Sequence, residues 1–188
     1  MSRKNSGLTL VEVIVVSVII AVLIALLAPT FLNARVGARK SECVAFLHQI
    51  HVATEMYRSD HDGSGKYGDA TAMGLPSWPP TRGVPALNKL RCSVAAERKD
   101  RVLGTGYFTY FAQPELDLLV PSWKNYSTQY RDASMLYADP FHNRRDIALD
   151  FGDHVTRFVM GVNVGGSIVR KNGKGDWMHR LWFNREPE

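Results

Sequence analysis

The first 60 residues form a pattern of one long helix whose character changes part-way along. Between Leu8 and Ala34 the single charged residue is Glu12, and the rest of this stretch is predominantly apolar. About 20 apolar residues are enough for a helix to cross the hydrocarbon core of a bilayer. We therefore predict a membrane-spanning helix over about 8–32. A carboxylate there costs at least ~2.5 kcal/mol at the bilayer centre, so Glu12 is expected to have a partner.

After Pro29 the helical pattern continues but becomes amphipathic. Proline removes a backbone donor and clashes with the preceding turn, so Pro29 is predicted to bend or locally melt the helix rather than end it. Apolar or small residues then recur at steps of three and four, which predicts a helix continuing to about Ser59. The residues that share this face are Leu32, Val36, Cys43, Leu47, Ile50, Thr54 and Tyr57.

Beyond residue 60 the apolar segments are short and separated by turn residues. This favours an α+β fold in which a small antiparallel sheet packs against the long helix. A stretch rich in proline and glycine, 74–85, is predicted to be an ordered loop, and 125–136 is either a short helix or a loop. The predicted strands are Tyr107–Ala112, Ile147–Phe151, Val155–Met160, Ser167–Lys171 and Arg180–Phe183.

Several groupings of polar residues resemble binding sites but are better explained structurally. His48 and His51 lie three residues apart on the helix, yet no further ligand follows at a matching step, so they are interpreted as helix-surface residues. The segment Asp60–Asp69 has part of the oxygen spacing of a calcium loop but lacks the acidic residue at its twelfth position. A glycine-rich turn is the favoured interpretation there, and calcium binding stays open.

No catalytic motif emerges from the remaining residues. Asp150, Asp153 and His154 are close in sequence, but no serine or cysteine motif accompanies them. The glycines of 161–166 lack the Lys-Ser/Thr of a phosphate loop and predict a hairpin. The sequence therefore predicts a protein that is not an enzyme and that has no cofactor and no metal site.

Length and charge narrow the class further. The 188 residues leave one small domain once the helix is set aside. The formal net charge is +5, without the clustered basic stripe that is typical of nucleic-acid-binding modules. We predict no specific nucleic-acid partner.

The N-terminal order of residues resembles that of type IV prepilins and type II secretion pseudopilins. A short basic leader ends at Gly7, where prepilin peptidase cuts in that family, and Leu8 takes the place of the N-methylated first residue. Glu12 matches the helix glutamate of the family, and Pro29 matches its helix-bending proline. The chain departs from the family in starting with leucine, because most members start the mature chain with phenylalanine.

The resemblance implies a pilin-like organisation. Residues 1–7 are the leader, 8–59 the N-terminal helix and 60–188 a globular head. The implied function is a structural subunit of a type IV pilus or a type II secretion pseudopilus, with Glu12 and Pro29 serving subunit assembly. The implied partners are prepilin peptidase, other pilin or pseudopilin subunits and an inner-membrane assembly platform. The protein is expected to cross the inner membrane once, with its head outside the cytoplasm, and to reach the cell surface in a filament.

A narrower resemblance links the chain to long prepilin-like proteins of environmental bacteria. It rests on the helix segment from Cys43 to Asp60, on Cys92 after the proline-rich loop, and on the Gly161-Val162-Asn163-Val164 segment with its following glycine turn.

The two cysteines, Cys43 and Cys92, are predicted to form a disulfide. The resemblance places both outside the cytoplasm, where thiols are oxidised. The bridge closes a loop containing the proline-rich segment, for which chain entropy predicts roughly 4 kcal/mol of stabilisation. Two buried free thiols are the alternative.

Two other interpretations of the N-terminal stretch fit its residues less well. A cleaved secretory signal peptide has an apolar core of about 7–15 residues, shorter than this one. An unprocessed signal anchor gives no reason for Gly7 and Glu12 at this spacing. The functional alternative is a single-pass, membrane-anchored domain that binds something at the cell surface and does not polymerise.

Overall fold

The computed structural model describes residues 10–61, 63, 67–76, 92, 109–113, 122–143, 152 and 154–184. The chain divides into two compact units between Arg39 and Lys40. The first unit is described here by helix α1 alone. The second contains the C-terminal part of α1 and all the other described elements.

Helix α1 extends over Leu10–Asp60, which confirms the predicted long helix and its end near Ser59. It continues through Pro29, as expected for a proline that does not end the helix. In the second unit its buried face consists of Cys43, Leu47, Ile50 and Thr54. These are the steps of four, three and four that the sequence pattern predicted. Val36, on the predicted face, is exposed.

The head contains a four-stranded antiparallel sheet with the strand order β1-β2-β3-β4. The predicted combination of a long helix and a small antiparallel sheet is thus confirmed. A short helix, α2, precedes β2, and its N-cap is Ser122, whose hydroxyl accepts a hydrogen bond from the Asn125 amide. The bounds are β1 Thr109–Tyr110, α2 Trp123–Tyr130, β2 Met135–Asp139, β3 Arg157–Asn163 and β4 Ile168–Gly173.

Sheet and helix are joined by a buried hydrogen bond. The hydroxyls of Thr54 in α1 and Tyr137 in β2 lie 2.8 Å apart. Nearby, the Tyr110 hydroxyl donates to the carbonyl of Pro76, at 2.8 Å. Both tyrosines are fully buried, so these bonds satisfy polar atoms that water does not reach.

Strand β4 lies at the edge of the described sheet, where it pairs with β3 alone. It carries Arg170 and Lys171, and its side chains alternate between partly and more fully exposed. The turn before it contains Gly166, at a φ of +81°, which favours glycine.

The predicted strand Arg180–Phe183 is wrong, because Arg180–Asn184 is a 3₁₀ helix. The Trp182 amide donates to the carbonyl of His179, at 2.8 Å. The buried guanidinium of Arg180 donates to the carbonyl of Phe111, from Nε at 3.0 Å and from Nη2 at 2.7 Å. These hydrogen bonds hold the 3₁₀ helix against the core. The apolar composition of the segment alone had suggested a strand.

The interpretation of 125–136 missed a strand at its C-terminal end. The helix option is confirmed for its first part by α2, but Met135 and Leu136 begin β2. All five residues of β2 are buried, so the strand has no polar alternation to mark it. The predicted strand Ile147–Phe151 lies outside the described residues.

Candidate functional site

The N-terminal part of α1 presents an apolar surface on all sides. Every valine, isoleucine, leucine and phenylalanine between Leu10 and Phe31 is exposed, from 51% for Val15 and Ile20 to 76% for Leu10. The helix is long and apolar enough to cross a membrane, by length and composition. A helix that is apolar all round requires lipid or other helices to cover it.

The polar side chains within this apolar surface differ in how they are accommodated. The Ser17 hydroxyl donates to the carbonyls of Val13 and Ile14, and the Thr30 hydroxyl to that of Leu27. Such bonds inside one helix allow hydroxyls to enter an apolar environment. Glu12 has no donor proton when ionised and lies exposed in the first turn of the helix.

A second grouping of reactive side chains lies in the head. We call Cys43, Cys92, Asp139 and His142 the Cys-Asp-His cluster. Their ligand atoms all lie within 4.8 Å of one another. Cys43 begins the buried face of α1, Asp139 ends β2, and His142 is in the turn after it. Chain segments far apart in sequence therefore converge here.

Asn143 anchors the turn that carries His142. Its side-chain Nδ2 donates to the carbonyls of Pro140, at 2.7 Å, and Phe158, at 2.6 Å. Its Oδ1 accepts from the amide of Phe158 at 2.7 Å. These bonds tie the turn to β3, which fixes where His142 projects.

The distances within the cluster form a chain of close approaches. The Cys43 and Cys92 sulfurs are 3.0 Å apart, and Cys92 Sγ is 3.6 Å from His142 Nε2. The same Nε2 is 3.4 Å from Asp139 Oδ2. Both cysteines and Asp139 are fully buried, and the His142 side chain is only 3% exposed.

The electrostatics of the cluster oppose a free thiolate. The hydrogen bond with Cys43 and then burial raise the pKa of the Cys92 thiol well above its usual range. Burial lowers the pKa of His142, but its close contacts with Asp139 and Cys92 outweigh this effect and raise the value to about 9. Without a further cation, the cluster therefore favours a neutral Cys92 beside a protonated His142.

This geometry does not match a cysteine nucleophile with its base. In a catalytic triad the nucleophile and the carboxylate contact different nitrogens of the histidine. Here Nε2 faces both Cys92 and Asp139. Cys92 is also fully buried, whereas reactive cysteines are partly exposed and have lowered pKa values.

The predicted disulfide between Cys43 and Cys92 stays a prediction. The two sulfurs were correctly expected to lie close together, but their separation of 3.0 Å exceeds the ~2.05 Å of a disulfide bond. Both thiols are free and buried in this structure.

Comparison with known proteins connects the N-terminal helix to a family. Residues 2–28 match the family described as the prokaryotic N-terminal methylation motif. The chain is 35% identical over 78 residues to the type IV wide pilus major component PilA4 of Thermus thermophilus. The chain is thus similar to a type IV pilin, and its N-terminal part carries the methylation motif. The alignment spans 41% of this chain and 60% of PilA4, and no solved structure matches the chain.

The methylation-motif match in this prepilin-like chain includes Gly7, Leu8 and Glu12 and ends before Pro29. Gly7 and Leu8 lie outside the described residues. Cys43, Cys92, Asp139 and His142 lie beyond the matched motif, so it says nothing about their cluster.

Other candidates from the sequence of the prepilin-like chain have different outcomes. His48 is exposed, whereas the Nε2 of partly buried His51 lies 3.0 Å from the carbonyl of Val164, so His51 contacts the β3–β4 turn. His154 is exposed, and Asp150 and Asp153 lie outside the described residues. Residues 62 and 64–66 of the Asp60–Asp69 loop also lie outside them.

The sequence analysis missed Asp139 and His142. Their i, i+3 spacing was the available signal, but it is common and carries no motif. Only the pairing of β2 in the sheet brings these two residues to Cys43 and Cys92.

Proposed function

We propose that the protein is a structural subunit of an extracytoplasmic filament, either a type IV pilus or a type II secretion pseudopilus. The observation that carries the proposal is the apolar surface from Leu10 to Phe31, which is exposed on all sides and begins within the match to the N-terminal methylation motif. In a filament, helices of neighbouring subunits cover this surface. Before assembly, lipid covers it.

Processing by prepilin peptidase is part of this proposal. The enzyme cuts after Gly7 and removes residues 1–7, and the new amino terminus at Leu8 is N-methylated. Leucine replaces the commoner phenylalanine with another apolar side chain, which keeps the new terminus suited to an apolar environment.

The proposed membrane topology follows from the apolar segment at the N-terminus. The protein crosses the inner membrane once over about 8–32, with the head from residue 60 onward outside the cytoplasm. An inner-membrane assembly platform then transfers it into a filament with other pilin or pseudopilin subunits. Pro29 lies within α1, and we assign it, with Glu12, to packing of the helices. This role is structural rather than enzymatic.

Cleavage after Gly7 gives a direct test. Co-expression with an active prepilin peptidase is expected to give a membrane protein whose intact mass corresponds to a chain starting at methylated Leu8. Gly7→Val is expected to keep Met1, because a branched side chain replaces the glycine at the cut. The matched control Ser6→Ala changes the neighbouring position and is expected to be cleaved like the wild type.

Retention of Met1 by the wild-type chain beside an active peptidase would contradict the processing proposal. The peptidase's activity is verified in the same cells on an established prepilin. N-terminal sequencing separates a missing cut from a cut at another position.

A further inference from the structure

We infer that the Cys-Asp-His cluster is a structural binding site for a divalent zinc ion, with one ligand atom each from Cys43, Cys92, Asp139 and His142. The inference concerns the head alone and does not depend on filament assembly. The four ligands are two sulfurs, one imidazole nitrogen and one carboxylate oxygen. Zinc is bound by these donor types, whereas magnesium and calcium prefer oxygen.

Two of the three interatomic distances in the cluster agree with the ligand–ligand separations of a tetrahedral zinc site. Metal–ligand bonds of the usual zinc lengths place sulfur and nitrogen about 3.6 Å apart and nitrogen and oxygen about 3.4 Å apart. The cluster has 3.6 Å between Cys92 Sγ and His142 Nε2 and 3.4 Å between that nitrogen and Asp139 Oδ2. The sulfurs, 3.0 Å apart, need to separate to about 3.8 Å, a change within reach of small side-chain rotations.

A buried carboxylate oxygen supplies an independent indication. Asp139 Oδ2 is inaccessible to solvent and makes no hydrogen bond within the described residues. It lies 3.4 Å from His142 Nε2, within ion-pair distance but without the geometry of a hydrogen bond. The imidazole therefore leaves the hydrogen-bonding capacity of this buried oxygen unused, and a metal ion in the cluster would satisfy it.

The other oxygen of the same carboxylate is held in place. Asp139 Oδ1 accepts a hydrogen bond from the amide of Phe141 at 2.9 Å. Contacts of this kind orient ligands around a metal, and the Asn143 bonds described above do the same for the turn that carries His142.

Four protein ligands with almost no solvent exposure correspond to a closed, structural zinc site rather than a catalytic one, which keeps an open position. The ion joins α1, the segment at Cys92 and the end of β2. A disulfide would also join α1 to Cys92, but it would not involve Asp139 or His142. Bound zinc and the disulfide exclude each other, because both use the same two sulfurs.

The test begins with the full-length protein exported in its natural orientation and purified in detergent without reductant or chelator. Elemental analysis is expected to find about one zinc ion per chain. Chelation is expected to lower the melting temperature by about 5 to 10 °C, and added Zn²⁺ but not Mg²⁺ to restore it. Alkylation after denaturation with a chelator should modify both cysteines.

Two conservative variants separate the zinc site from the disulfide. Asp139→Asn retains an oxygen for the Phe141 amide but removes the anionic ligand, and His142→Gln removes the imidazole. Each is expected to bind zinc at least ~10–100-fold more weakly in a chelator competition. The control His154→Gln alters an exposed histidine outside the cluster and is expected to bind like the wild type.

A third measurement needs no variant. Co²⁺ added to the chelated wild-type protein is expected to produce the thiolate-to-metal absorption of a tetrahedral site. The inference is overturned if exported protein contains linked Cys43 and Cys92 peptides and no zinc. It is equally overturned if zinc content is the same in the Asp139 and His142 variants, or if Co²⁺ gives no thiolate band.

Discussion

Glu12→Val is expected to be inserted in the membrane and cut after Gly7, yet to be absent from filaments. Glu12 is the one charged residue between Leu8 and Ala34, and every large apolar side chain around it is exposed and available for helix packing. In a bundle of such helices the carboxylate requires a cation. We propose that the Leu8 ammonium of a neighbouring subunit supplies it.

The size of the effect follows from the cost of leaving one member of a buried ion pair alone. Removing one partner costs about 3 to 5 kcal/mol, which corresponds to a loss of roughly 10²- to 10³-fold or more in the association of one subunit with the next. A filament repeats this contact at every subunit. Quantifying the protein in sheared surface filaments, against the membrane fraction, measures the loss.

Two further variants separate charge from position. Glu12→Gln keeps the shape and is expected to fail like valine, because it lacks the negative charge. Glu42→Val changes an exposed glutamate of the same helix beyond its apolar part and is expected to assemble. Normal assembly of Glu12→Val would show that the carboxylate has another role, and would favour an anchored head that does not polymerise.

Gly161→Ala is expected to lower the melting temperature of the head by about 6 to 12 °C, through a loss of about 3 kcal/mol. A Cβ at this position would lie 2.5 Å from the carbonyl oxygen of Tyr137 and 2.4 Å from the Met135 sulfur. The methionine is flexible, but the carbonyl belongs to the neighbouring strand. Because β3 is paired on both sides, it has no free edge toward which to shift.

Gly37→Ala is the matched control for that substitution. A Cβ at Gly37, in α1, meets nothing within 4 Å. Alanine also favours a helix over glycine by up to about 1 kcal/mol, so this variant is expected to be neutral or slightly stabilising. Circular dichroism melts of both full-length variants in detergent give the comparison. A Gly161→Ala melting temperature within about 2 °C of the wild type would show that the sheet relaxes around the added methyl group.

The elements in which apolar residues recur at a regular spacing were predictable from the sequence. Helix α1 was predicted because its apolar spacing persists for about 50 residues without a competing signal. Strands β3 and β4 were predicted within a few residues, since a glycine turn separates two short apolar segments. Strand β2 was missed because it is buried on both faces and follows a helix almost directly.

The candidate sites also differ in whether the sequence alone could reveal them. Gly7, Leu8 and Glu12 lie close together in sequence and follow a linear motif that the family model matches, so one stretch of chain was sufficient to propose a role for them, which stays a prediction. Asp139 and His142 belong to a candidate site only because folding brings them close to Cys43 and Cys92. Cys43 and Cys92 were paired from their number and expected compartment, but sequence reasoning alone did not identify which chemistry joins them.

The charged edge of the sheet has a consequence for contacts between two copies of the head. Among the described residues no strand pairs with the outer side of β4, and an edge strand of this kind is a template for another chain. Exposed Arg170 brings positive charge to this edge, and Lys171 adds to it although its ammonium donates to the carbonyl of Trp182, so two copies that approach edge to edge repel each other. Crowded heads are thereby discouraged from joining into the continuous sheets of amyloid. In the proposed filament, this repulsion limits contacts between strands and leaves the proposed helix contacts to join the subunits.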